Sequence, residues 1–87
     1  MKIIKIGAIW CPGCLVMKKV WKDIMNEYQL NILELDYDID NEEVSKYNPG
    51  QILPITIFTD DNNNELERLI GEQTKEKIIN VIEKYRW

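Results

Sequence analysis

From Lys2 to Ile9 the chain reads KIIKIGAI, apolar and β-branched with few polar interruptions, the composition of a strand covered on both faces. Pro12 suits the first turn of a helix, where its missing N–H is no loss, and Leu15, Val16, Val20, Trp21, Ile24, Met25 and Tyr28 then recur at helical spacing. A helix from about Pro12 to Tyr28 is predicted, with Lys18, Lys19 and Lys22 turned to water. Asn31 to Tyr37 alternates Leu33, Leu35 and Tyr37 against Glu34 and Asp36, the period of a second strand. Asp40 or Asn41 can cap a short helix reaching about Tyr47, with Glu43 placed after Asp40 as in a capping box, and Asn48-Pro49-Gly50 ends it. Leu53 to Thr59 and Glu65 to Ile70 flank a polar turn at Asp60 to Asn64, the pattern of a hairpin. Thr74 can cap a last helix whose Ile78, Ile79, Val81, Ile82 and Tyr85 make one apolar stripe.

The order β-α-β-α-β-β-α predicts an α/β fold. Its first two strands are joined by a crossover helix and so run parallel; an antiparallel hairpin follows. The expected product is a four-stranded mixed sheet with helices on both faces. At 87 residues this is one domain, 1–87, without repeat, linker or low-complexity segment beyond the Asn-rich turn. A hydrophobic fraction of 45% against 30% charged belongs to an ordinary globule and excludes a disordered or collagen-like chain.

Charge narrows the partners. Fifteen acidic against eleven basic side chains give a net charge of −4, which repels phosphate backbones and argues against nucleic acid. No apolar run approaches the ~20 residues needed to cross a bilayer. Met1-Lys2 leads straight into Ile3 with no apolar signal core, so the cytoplasm is the expected compartment. Monomer is the expected state, because assigning the core leaves no long apolar face.

The two cysteines, Cys11 and Cys14, stand in a chain without histidine. A disulfide closing so short a loop adds little stability, and a reducing compartment disfavours it, so the pair reads as chemistry. A C-x-x-C is also half a zinc knuckle, but a closed site takes four ligands and neither a third Cys nor a His is present. No metal is expected.

A strand, then Trp10-Cys11-Pro12-Gly13-Cys14, then a helix, is the setting in which this spacing is redox-active. Together with Pro54 opening the third strand and Gly71 closing the last, it resembles the thioredoxin superfamily over nearly the whole chain. The resemblance implies a thiol-disulfide oxidoreductase with no bound cofactor, its electrons carried by a Cys11–Cys14 disulfide. It further implies a cis Leu53-Pro54 bond lying against the cysteine pair. Trp10, Pro12, Gly13, Leu53, Pro54 and Gly71 are then the substrate-contacting residues. Trp10 and Leu53 would form an apolar collar, and the Leu53 backbone could hold an extended segment by strand addition. Trp21, Trp87 and the methionines read as packing or surface groups.

Only a thiolate attacks a disulfide, and a thiol of pKa ~8.5 is barely ionised at neutral pH. At a helix N-terminus Cys11 would meet free backbone N–H groups and the positive end of the dipole, which in such motifs can bring the value to ~7. Cys14, one turn further in, is expected to be the more buried and to stay a thiol until it resolves the mixed disulfide.

Two departures from the family stand out. Thioredoxins carry a buried carboxylate six positions before the first cysteine and a lysine on the adjacent strand; here the first is Lys5, and Glu34 falls opposite. The charges look exchanged, with Glu34 helping to take the Cys14 proton and Lys5 as its partner; otherwise Lys5 snorkels to water and Glu34 belongs to an acidic, solvated face. The dipeptide is Pro12-Gly13, the reverse of the Gly-Pro common in thioredoxins, and the chain has glutaredoxin dimensions without the extra N-terminal strand and helix. Gly71-Glu72-Gln73 replaces the double glycine with which glutaredoxins bind glutathione.

The leading expectation is a cytosolic oxidoreductase that reduces protein disulfides and is itself reduced by a flavin thioredoxin reductase. A glutathione-dependent, glutaredoxin-like enzyme or an electron donor to ribonucleotide reductase is the alternative within enzymes. A non-catalytic thioredoxin-fold binding module, using the acidic segment Glu34 to Glu43, is the alternative outside them.

Overall fold

In the computed structural model, residues 1–85 are described, and they form β1 (Lys2–Gly7), α1 (Pro12–Glu27), β2 (Asn31–Asp36), α2 (Asn41–Ser45), β3 (Ile55–Thr59), β4 (Glu65–Ile70) and α3 (Lys75–Tyr85). The sheet order is β2-β1-β3-β4. β1 and β2 are parallel, whereas β1 with β3 and β3 with β4 are antiparallel. The mixed four-stranded sheet is the one expected.

Strand alternation distributes the core over two faces. Ile3 and Phe58 join Met17, Trp21 and Ile24 of α1 and Ile78, Val81 and Ile82 of α3 on one side. Ile4, Ile6, Leu35, Ile55 and Ile57 meet Val44 of α2 on the other. β3 is buried along its whole length, as its β-branched composition requires.

The differences from expectation have local causes. β1 stops at Gly7 rather than Ile9 and β3 starts at Ile55 rather than Leu53, because Pro54 has no N–H to extend the ladder past the Ile6–Ile55 pair. The inward stripe of α1 is Met17, Trp21 and Ile24, while Leu15, Val16 and Met25 are exposed. On β2, Leu35 is buried and Tyr37 packs beside it, but Leu33 lies near the open edge and Ile32 packs on the opposite face. The capping box does not form: Asp40 is the α2 N-cap without a side-chain cap bond, its Oδ2 instead accepting the Asp36 N–H at 2.8 Å. Asp36 in turn accepts the N–H groups of Asp38 and Ile39, both at 2.9 Å. Short carboxylate side chains take nearby amides in the turn in preference to the helix.

Candidate active site

Cys11 is the N-cap of α1, extended at φ −89° and ψ 111°, with Pro12 in the first turn. Its Sγ accepts the Cys14 backbone N–H at 3.3 Å, so the sulfur stands where a Ser or Asp oxygen ordinarily caps a helix. No acidic residue occupies the first turn to oppose the positive end of the dipole.

The burial of the two thiols is opposite to that expected. Cys11 is only 3% exposed, while Cys14 is half-buried. Folding Cys11 Sγ back over the first turn shields it, whereas Cys14 points across to β1. There a Cβ on Gly7 would lie 3.0 Å from Cys14 Sγ, so only glycine leaves the sulfur its place. Cys14 also lines a cavity of about 410 Å³ with Lys5, Gly7, Trp21, Glu34 and Pro54. Burial, followed by the hydrogen bond with Cys11, pushes the Cys14 thiol up to about 11, against the pull of the Ala8 backbone and the Lys5 charge.

Of the remaining expected residues, Gly13, Pro54 and Gly71 are brought together beside the pair. The Leu53-Pro54 bond is cis, Pro54 is buried, and a Cβ on Gly13 would meet Pro54 Cδ at 3.2 Å. Gly71 has φ +84° and donates its N–H to Pro54 O at 2.8 Å, a left-handed residue that fixes the turn after β4 beside the proline. Pro12 is exposed. Trp10 is 60% exposed, its indole N–H donating to Asp38 Oδ2 at 2.6 Å and its ring edge-on to Tyr37. Leu53 is half-buried against the α2-side core, and the exposed apolar neighbours are instead Ile9, Leu15 and Ile52. Trp21 is core; Trp87 lies outside the described residues.

Lys5 and Glu34 are in register across the parallel strands, and Lys5 Nζ donates to Glu34 Oε1 at 2.7 Å. The two side chains are unequally placed, Lys5 being 19% and Glu34 74% exposed. Lys5 Nζ also lies 4.9 Å from the Trp21 ring centroid. Lysine is therefore the inner member of the pair and glutamate the outer.

Gly7 and Asp38 escaped the sequence reading. Gly7 looked like one more small residue in an apolar strand, Asp38 one more acid in a run, and only their distances to Cys14 and Trp10 distinguish them. Among the described residues no group of His, Cys, Asp and Glu is arranged to hold a metal ion. Nor is any helix there long and apolar enough to cross a membrane.

A family model described as thioredoxin matches residues 1–84. Thioredoxin of Staphylococcus saprophyticus is 28% identical over 87 residues, covering 98% of this chain and 82% of that protein. The reduced thioredoxin pre-protein of Schistosoma mansoni superposes with a TM-score of 0.85 at 23% identity, over 95% of this chain and 76% of the other. A chain in the complex of ferredoxin:thioredoxin reductase with thioredoxin f2 has a TM-score of 0.81, also at 23% identity, over 98% of this chain and 76% of the other.

Proposed function

Since the chain belongs to the thioredoxin family and is a thiol-disulfide oxidoreductase, we propose that it reduces protein disulfides with Cys11 as nucleophile and Cys14 as resolving thiol. The observation that carries this reading is the Cys14 N–H donating to Cys11 Sγ at the N-cap of α1. A donor and an unopposed helix N-terminus favour negative charge on that sulfur.

The Cys11 thiolate attacks one sulfur of the substrate disulfide. A Cys11–substrate S–S bond forms, the substrate S–S bond breaks, and the departing sulfur takes the electron pair and a proton. Cys14 then loses its proton and attacks Cys11 Sγ. The Cys11–Cys14 bond forms and the second substrate sulfur leaves, so the protein has lost two electrons and the substrate gained them. Pro54, Gly71 and the Leu53 backbone hold the substrate segment extended beside the pair, and Trp10 and Ile52 cover it.

Lys5 and Glu34 act on the second attack. Lys5 stabilises the Cys14 thiolate as it forms, and Glu34 holds the lysine in place, being itself too exposed to serve well as a desolvated base. A reductase reopens the bridge, and we assign that role to a flavin thioredoxin reductase. The likeness to a chain found with a thioredoxin reductase supports a reductase partner in general.

Trapping tests the nucleophile. Cys14→Ser should accumulate mixed disulfides with target proteins and Cys11→Ser almost none, read by non-reducing gels and mass spectrometry. Equal trapping by both would remove Cys11 from the first step. Faster reduction of the bridge by glutathione than by the flavin reductase would move the protein to the glutaredoxin-like class.

A further inference from the structure

One carboxylate at the mouth of the site has no role in the reaction as described. Glu72 follows Gly71, is exposed, and lays its side chain over the dipeptide between the cysteines: a Cβ on Gly13 would lie 3.0 Å from Glu72 Cγ and 3.2 Å from its Oε1. The same point is 3.2 Å from Pro54 Cδ, so carboxylate, proline and active-site turn meet at one spot. The turn that carries Glu72 is fixed at both ends. Gly71 N–H donates to Pro54 O at 2.8 Å, and Gln73 N–H reaches Met17 Sδ at 3.5 Å.

The other acids near the site are engaged: Glu34 with Lys5, Asp38 with Trp10, and Asp36 and Asp40 with backbone amides. Among the described residues no cationic side chain pairs with Glu72. An anion held over Gly13 between the two cysteines, and paired with no cationic side chain, is available to a substrate cation.

We propose that Glu72 is a specificity-determining residue that favours disulfide substrates carrying a lysine, arginine or free amine beside the attacked cysteine. The proposal rests on the reading of Cys11 as nucleophile. A substrate extended along Leu53 advances about 3.3 Å per residue, so the side chain one or two positions from its reacting sulfur passes over Gly13 and Gly71. The bonds made and broken are unchanged; Glu72 adds only attraction for a cation and repulsion for an anion. An exposed pair of this kind is worth roughly 1.5- to 5-fold in a rate or binding constant. Attraction and repulsion together should then separate a cationic from an anionic substrate by about 5-fold.

The test uses two peptide disulfides identical except for Arg or Glu next to the attacked cysteine. Each is mixed with reduced protein, and second-order rate constants are followed by tryptophan fluorescence. The Arg-to-Glu ratio should be about 5 in the native protein, fall toward unity in Glu72→Gln, invert in Glu72→Lys, and shrink in ~1 M salt, where screening acts beyond ~3 Å. Glu76→Gln makes the same change in net charge on the first turn of α3 and should keep the native ratio. An unaltered ratio in both Glu72 variants, or an equal loss in Glu76→Gln, overturns the proposal. If the native protein opens neither peptide, the Cys11 reading fails first and this proposal falls with it.

Discussion

Cys14 and Lys5 line the same cavity, and the Lys5 charge pulls the Cys14 thiol down against the larger upward push of burial. With Cys14 raised from its ordinary 9.0 to about 11, the folded chain keeps a proton that the unfolded chain has already lost between those values. The stabilisation it brings is whole below pH 9 and drains away toward pH 11. Reduced native protein should therefore lose more stability between about pH 9 and about pH 11 than Cys14→Ser does, measured as the shift of the urea midpoint. Lys5→Met removes a charge that lowers the Cys14 value, so the pH profile of mixed-disulfide resolution should move upward, and Lys5→Arg should restore it. Glu34→Gln separates the two roles of the pair. Loss of a proton acceptor would slow resolution at every pH, whereas loss of the group that holds Lys5 beside Cys14 should move the profile upward, as Lys5→Met does. The cysteine spacing, Trp10, Pro54 and the opposition of Lys5 to Glu34 were all legible in the sequence. Which thiol is buried was not, because it depends on Cys11 Sγ turning back to an amide and on the space left by Gly7, neither of which has a periodicity.

At the scale of elements, strands were read correctly where composition and pairing agree, and their ends were missed where a neighbour decides. Nothing within KIIKIGAI says that pairing with β3 stops at Ile6; Pro54, far along the chain, says it. Helix α2 shows the same dependence. It is only five residues long, has no side-chain cap, and gives way through Lys46 and Tyr47 to Asn48 at φ 50°. Its end is instead held from β4: the Arg68 guanidinium donates to Asn48 O at 3.2 Å and to Tyr47 O, and pairs with Glu65 Oε1 at 2.7 Å. Hydrogen bonds from a charged donor to otherwise unmet carbonyls are worth roughly 1.5–3 kcal/mol each before solvent competes. Arg68→Met, which keeps the stem and drops the donors, should cost about 1–2 kcal/mol in urea unfolding and raise amide exchange through residues 44–48. A cost near zero would mean that water satisfies those carbonyls equally well.

For the whole molecule, the placement of the site follows from which core carries which helix. α1 and α3 share one face of the sheet and α2 the other, so the helix that presents both cysteines is seated on Phe58, Ile3 and Ile78, while α2 rests on Val44 against Ile4 and Leu35. The order of elements revealed two faces; it did not reveal that Leu15 and Val16 would be left outside, since the rotation of α1 is set by Trp21 and Met17 packing onto the sheet. A difference in what each core controls follows. Phe58 is fully buried in the central strand β3, and Phe58→Ala removes a ring that nothing nearby can replace, at a cost of about 3–5 kcal/mol. A domain this small has a total stability toward the lower end of ~5–15 kcal/mol, so that variant should be largely unfolded near its physiological temperature and inactive with it. Val44→Ala deletes about two methylene equivalents, roughly 1.5 kcal/mol, on the far side of the sheet. It should lower the urea midpoint yet leave the rate of Cys11 alkylation by iodoacetamide unchanged per folded molecule. A fall in that rate in Val44→Ala would show that the α2 face also positions the thiol, contrary to the separation of the two cores by the sheet.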